Sequence, residues 1–162
     1  MSDKQLQVLE FPEWQSVVRY DNATRVACAS FAGFYDGPYM DNTVLEFLRH
    51  KLSDADFKLT SYIQDLRYIT SASRRNSDRA RAGIWEGQFT PLLEDLLTRE
   101  KGSPLKMVYI RNRNPEIFNI LTSRANRRAM DSKLRILIKP FVVDTSVEAL
   151  EVLGHQIGRA HV

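Results

Sequence analysis

Along this chain the order of apolar and polar positions switches several times between a period of two and a period near 3.6, and each switch marks an expected element. Leu6, Val8 and Leu9 lead to Phe11-Pro12. Val17-Val18-Arg19-Tyr20 and Arg25-Val26-Ala27-Cys28-Ala29-Ser30-Phe31 then read as two strands around an Asp21-Asn22-Ala23-Thr24 turn, which predicts a hairpin. On its second strand Val26, Cys28 and Ser30 share one face and Ala27, Ala29 and Phe31 the other, so both faces are apolar enough to be covered. Gly33-Phe34-Tyr35-Asp36-Gly37-Pro38 predicts a turn, because glycine accepts positive φ and Pro38 cannot extend a ladder. Val44, Leu45, Phe47, Leu48 and Leu52 form one helical stripe, with Asp41 or Asn42 as its cap and Arg49 and Lys51 at the negative end of the dipole. Residues Phe57 to Ile63 alternate as a strand, with Phe57, Leu59, Ser61 and Ile63 on one face, and run into Asp65-Leu66-Arg67.

From Ser71 to Lys101 a stripe through Ala80, Ile84, Trp85, Phe89, Leu92, Leu93, Leu96 and Leu97 predicts one long helix or two in series. A kink or restart is expected where Thr90 can cap and Pro91 can open a helix, and Gly102-Ser103-Pro104 ends the element. Leu105 to Ile110 reads as a buried strand. Pro115 to Met130 reads as a helix with Ile117, Phe118, Ile120, Leu121 and Ala125 inward, and Leu134 to Ile138 as a strand ending before Pro140. The last helix, Val147 to Leu153, is capped by Thr145 or Asp144, with Glu148 available for a capping box and Gly154 as its stop. Strands alternating with helices behind a hairpin predict an α/β domain: a single mixed β-sheet flanked by about four helices. One such domain is expected over residues 1–162, with 154–162 as a flexible tail.

A hydrophobic content of 43% and a charged content of 27% are ordinary for a globular domain and exclude a disordered chain, a collagen-like repeat or a coiled coil. No apolar run approaches the ~18 to 20 residues of a membrane span, and Met1 to Glu10 lack a secretory pattern, so a cytoplasmic protein is expected. The lone Cys28 excludes an internal disulfide and a multi-cysteine zinc site, and it reads as a small core residue. His50, His155 and His161 are scattered, so neither a metal nor a cofactor is expected. Charge is uneven: residues 1–73 carry 7 basic against 10 acidic side chains, 74–139 carry 15 against 7, and 140–162 carry 1 against 3. The basic middle is densest at Arg74, Arg75, Arg79 and Arg81 and again from Arg111 onward, through Arg113, Arg124, Arg127 and Arg128. It is either a solvated face or a surface for phosphate or an acidic partner.

The Walker loop, GxGxxG, HExxH and GxSxG patterns are all missing, which removes the enzyme classes built on them. Asp36, Asp41 and Asp65 could supply paired carboxylates at strand ends, or serve as turn and cap residues. The most suggestive segment runs from Asp65 through Thr70, Ser71 and Ser73 to Arg74 and Arg75, leaving a strand and entering a helix. A helix N-terminus with arginines beside it suits an anion, whereas Ser71 or Ser73 could equally do no more than cap the helix. Gly83, Trp85 and Gly87 allow close packing on the sheet or on a second subunit.

Residues 17 to 153 resemble the STAS-like superfamily, which holds anti-sigma-factor antagonists and related bacterial regulatory domains. The resemblance lies in a strand pair ending at Phe31-Ala32-Gly33, a helix, a strand closing in Asp65-Leu66-Arg67, a long helix, the strand Lys106 to Ile110, a helix from Pro115, and the ending Phe141 to Leu150. It implies a mixed sheet flanked by helices, no catalysis, and signalling through a bound partner protein or small ligand; a homodimer is compatible with it. The phosphoswitch serine or threonine of that group would fall nine residues after Asp65, where this chain has Arg74 with no glycine after it, so phosphorylation control does not carry over. The expected function is a non-enzymatic bacterial regulatory or sensory domain binding a protein or small anionic ligand near Asp65, Ser71, Ser73, Arg74, Arg75 and Arg79. The alternatives are a nucleic-acid or phosphate binder using the basic 74–139 region, and a small enzyme with a site assembled from distant residues.

Overall fold

A computed structural model describes residues 15–35, 37–73, 88, 90–99, 104–121 and 138–154. In chain order these form β1 (Gln15–Asp21), β2 (Val26–Tyr35), α1 (Gly37–Leu52), β3 (Ser61–Ala72), α2 (Thr90–Arg99), β4 (Leu105–Ile110), α3 (residues 115–121), β5 (Ile138–Val143) and α4 (Ser146–Val152). The strands make one five-stranded sheet whose spatial order is their sequence order. β1 and β2 form the expected antiparallel hairpin, and β2 to β5 run parallel, so the sheet is mixed. Among the described residues no helix is long and apolar enough to cross a membrane.

A parallel strand covered on both sides reads as a continuous apolar run, and β2 and β4 show it. Ala27, Ala29 and Phe31 of β2 face one core with Leu66 of β3 and Met107 and Tyr109 of β4. The stripe of α1 (Val44, Leu45, Leu48, Leu52), Leu96 of α2, and Ile117, Phe118 and Leu121 of α3 cover that side. Val26, Cys28, Ile63, Val108, Ile110 and Val143 face the other way, under Ala149 and Leu150 of α4. The two sides alternate along β2 as its pattern requires. A small apolar cavity of about 20 Å³, lined by Leu48, Leu93, Met107 and Ile138 among others, is a packing gap in the larger core, with room for little more than one water-sized group.

Side chains tie the connections down. Arg25 adopts φ 58 at the end of the hairpin turn, its N–H bonded to Asp21 O at 2.7 Å, while the Asp21 carboxylate accepts from Ala23 N–H and the Thr24 hydroxyl. Arg99, at the end of α2, donates to the carbonyls of Leu52, Asp54 and Phe57 and so satisfies the carboxyl end of α1 and the loop after it. The rings of Tyr20, Phe47 and Phe57 pack with centroids 5.2 to 6.2 Å apart, which joins β1, α1 and that loop. Thr145 caps α4: its hydroxyl accepts from Glu148 N–H at 3.1 Å and donates to the Glu148 carboxylate, an arrangement close to the expected capping box.

Several expected boundaries are corrected. β2 continues through Gly33-Phe34-Tyr35 instead of turning there; Gly33 takes φ 81 inside the strand, a conformation only glycine adopts cheaply, at a shift in register with β3. α1 opens at Gly37 with Pro38 in its first turn, where a fixed φ and a missing N–H do no harm, so Asp41 and Asn42 lie inside the helix and are not its cap. β3 begins at Ser61, after Phe57 and Leu59, and runs on through Ser71 and Ala72, which pair with Phe34 and Tyr35. Ser71 therefore sits in a strand, and neither opens nor caps a helix. β5 passes through Pro140, which the sheet tolerates because β5 is, among the described residues, an edge strand with one side free of ladder bonds. α2 opens at Thr90 with Pro91 in its first turn, where a helix start is expected; the expected helix ahead of it lies outside the described residues. The expected elements at 74–87, 122–130 and 134–137, and the expected tail from 155, lie outside the described residues.

Ile63→Ala removes a fully buried side chain and is expected to cost about 2–5 kcal/mol, whereas Thr145→Ala, losing a cap, costs about 0.5–2 kcal/mol. Urea unfolding followed by circular dichroism checks both: each lowers the midpoint, Ile63→Ala by more.

Candidate functional site

Ligands of open α/β sheets collect beyond the carboxyl ends of parallel strands. Here those ends are set by one row of paired residues, Ser30, Asp65, Ile110 and Val143, across β2 to β5. Past this row the strands part. β4 ends and becomes Arg111-Asn112-Arg113-Asn114 before α3, and β5 becomes Asp144-Thr145 before α4. β2 and β3 alone continue, paired with each other through two register shifts that place an extra residue of β3 between Asp65 and Tyr68 and another between Ile69 and Ser71. Bulges of this kind bend a strand and re-aim its side chains.

Three sets of contacts occupy the resulting step. Asp65, 0% exposed, accepts two side-chain hydrogen bonds from Arg67, Nε to Oδ1 at 2.9 Å and Nη2 to Oδ2 at 2.8 Å, and a third from the Arg67 backbone N–H. The pair is bidentate and charge-assisted, and Asp65 raises the Arg67 guanidinium above its already high value. Arg67 then passes over the ring of Tyr68, 5.2 Å from its centroid. Behind the carboxylate lie Ser30 and Cys28, whose Oγ and Sγ are 3.8 Å apart; burial, with the negative charge of Asp65, pushes the Cys28 thiol up to about 12, so it is not a nucleophile at neutral pH.

Asn112, buried just after β4, donates from Nδ2 to the carbonyls of Leu66 and Ile69, each at 2.8 Å. It does for the continuing part of β3 what β4 does for the earlier part, satisfying carbonyls that no strand reaches. Its Oδ1 accepts from Asn114 N–H, and Asn114 Oδ1 accepts from Glu116 N–H, so the same turn caps α3. Arg111 N–H bonds to Val143 O, and its guanidinium holds Asp144 at 2.8 Å and lies over the Phe118 ring. The Arg111 guanidinium keeps the Asp144 carboxyl below the usual carboxylate range, although both side chains are exposed and the pair is screened by water.

Of the expected site residues, Asp65 lies at the centre of this step, buried and engaged. Ser71 is exposed further along β3 and Ser73 half-buried just past its end, so neither meets Asp65. Arg111 and Arg113 lie exposed beyond β4. Arg74, Arg75, Arg79, Arg124, Arg127 and Arg128 are outside the described residues. The sequence pattern names Arg67 only as the close of a strand and Asp144 only as a possible cap, and does not name Asn112. An Asp-x-Arg spacing in a strand, which puts two side chains on one side, and an Asn just ahead of an Asn-Pro helix start are the signals that could find Arg67 and Asn112. No family model and no curated protein matches the chain.

Asn112→Ala strips two buried carbonyls of their donor and is expected to lower stability by about 1–3 kcal/mol, read from the urea midpoint. For Asp144, a carboxyl-carbon NMR titration is expected to have a midpoint below that of an ordinary aspartate, moving up in Arg111→Gln. A folded value below the unfolded one means that the pair's small stabilisation is present above the ordinary aspartate range and fades as pH falls through the lowered value.

Proposed function

We propose that this chain is a non-enzymatic, cytoplasmic regulatory domain of the STAS-like kind in bacteria, which works by presenting the carboxyl ends of its parallel strands to a partner protein. The observation that carries the reading is how the polar groups there are spent. The Asp65 carboxylate is buried and doubly bonded to Arg67, Asn112 is committed to the backbone, and the Cys28 thiol is held neutral. Groups fixed on one another shape a surface; a general acid, base or nucleophile needs a group left free to react. What faces outward at this end is Tyr68, Thr70 and Ser71 on β3 with Arg111 and Arg113 beyond β4, a mix of aromatic, hydroxyl and arginine side chains that suits protein recognition. The hairpin-first mixed sheet, with parallel strands in sequence order, agrees with the architecture that the resemblance implies. Within the basic 74–139 stretch, Arg99 is turned onto backbone carbonyls and Arg111 onto Asp144, which takes them away from a phosphate backbone.

Photo-crosslinking in cells tests this. With a benzophenone amino acid at Tyr68, a discrete protein adduct is expected, weakened by Arg111→Glu; with the same group at Asn22, in the hairpin turn at the other end of the sheet, it is not. Equal adducts from both positions, or none from position 68, contradict the reading.

A further inference from the structure

We propose that Arg67 is an oxyanion receptor, its guanidinium edge turned away from Asp65 binding a carboxylate or phosphate group of the molecule recognised at this surface. The inference rests on the reading of the strand ends as a recognition surface and names the chemistry of what is read. A fully buried carboxylate paired with a guanidinium is not needed for stability, since apolar side chains of similar volume often replace such a pair at no cost. What the pair does is fix the plane of the guanidinium: two parallel hydrogen bonds from Nε and Nη2 leave it no freedom to rotate. The donors on Nη1 have no partner among the described residues, on a side chain that is 22% exposed and lies over the Tyr68 ring. A planar fork held in advance loses little freedom when it grips a carboxylate or phosphate. Charge at the step is close to balanced, since Asp65, Asp144 and Glu148 offset Arg67, Arg111 and Arg113, so the fixed geometry of the Arg67 fork carries the inference.

The test is an amide and guanidinium NMR titration of the intact chain with inorganic phosphate and, separately, with acetate, at constant ionic strength. Saturable shifts of the Arg67 side-chain N–H and of the Tyr68 amide are expected with at least one of the two anions; the one that binds tells phosphate from carboxylate. Arg67→Lys keeps the charge but loses the fork, and is expected to weaken binding roughly tenfold or more. Should that variant unfold, Asp65→Asn/Arg67→Gln removes both charges together and is expected to abolish the shifts. Binding unchanged in either folded variant overturns the proposal. So do shifts spread evenly over all basic residues, or an Arg67 resonance that ignores both anions at tens of millimolar. A chain that still cross-links through position 68 while Arg67 ignores both anions refutes the receptor and leaves the recognition surface standing.

Discussion

Two hydrogen bonds from one side-chain amide let a strand outlast its neighbour. β4 stops at Ile110, and Asn112 supplies the donors for the buried carbonyls of Leu66 and Ile69 on β3. Because Asn112 belongs to the turn that caps α3, the end of β3, the exit of β4 and the start of α3 form one unit. An open edge beyond the end of β4 would be a template for pairing with another chain. The amide closes part of it.

The buried ion pair follows from the same extension. Asp65 is the last β3 residue flanked by strands on both sides, and the bulge just after it brings Arg67 back onto its carboxylate. A few residues further, Arg111 and Asp144 repeat the pairing at the ends of β4 and β5, in solvent. The first pair is shielded and geometrically fixed; the second is screened and adjustable. The carboxyl edge of the sheet thus pairs rigid charge in its middle with soft charge at its side, on a scaffold held by apolar cores of unequal size.

How much of this could be read from the residues differs by element. Period-two and period-3.6 patterns are local, and the hairpin, the α1 stripe, the buried β4, the helix start at Thr90-Pro91 and the Thr145 cap all follow from them. The two faces of β2 follow too, since alternation decides them without knowledge of any partner. What escapes is non-local. Tyr68 to Ala72 carry hydroxyls that look like a helix start, and only pairing with Ala32 to Tyr35 holds them extended. Gly33 and Pro38 look like a turn, yet one lies inside a strand opposite a bulge of β3 and the other in the first turn of a helix. Pro140 looks like a stop and is an edge residue, which is evident only once the strand order is known. Asn112 is invisible for the same reason: its partners lie 46 and 43 residues away.

The extension of β3 past β4 is therefore the claim on which the site stands, and cross-strand NMR contacts with hydrogen exchange address it most directly. The account predicts inter-strand contacts linking Ala32 with Tyr68 and Tyr35 with Ala72, and amides in 68–72 that exchange nearly as slowly as those in 61–65. Sequential contacts of a helix over 68–73, or exchange there as fast as in an open loop, would contradict it.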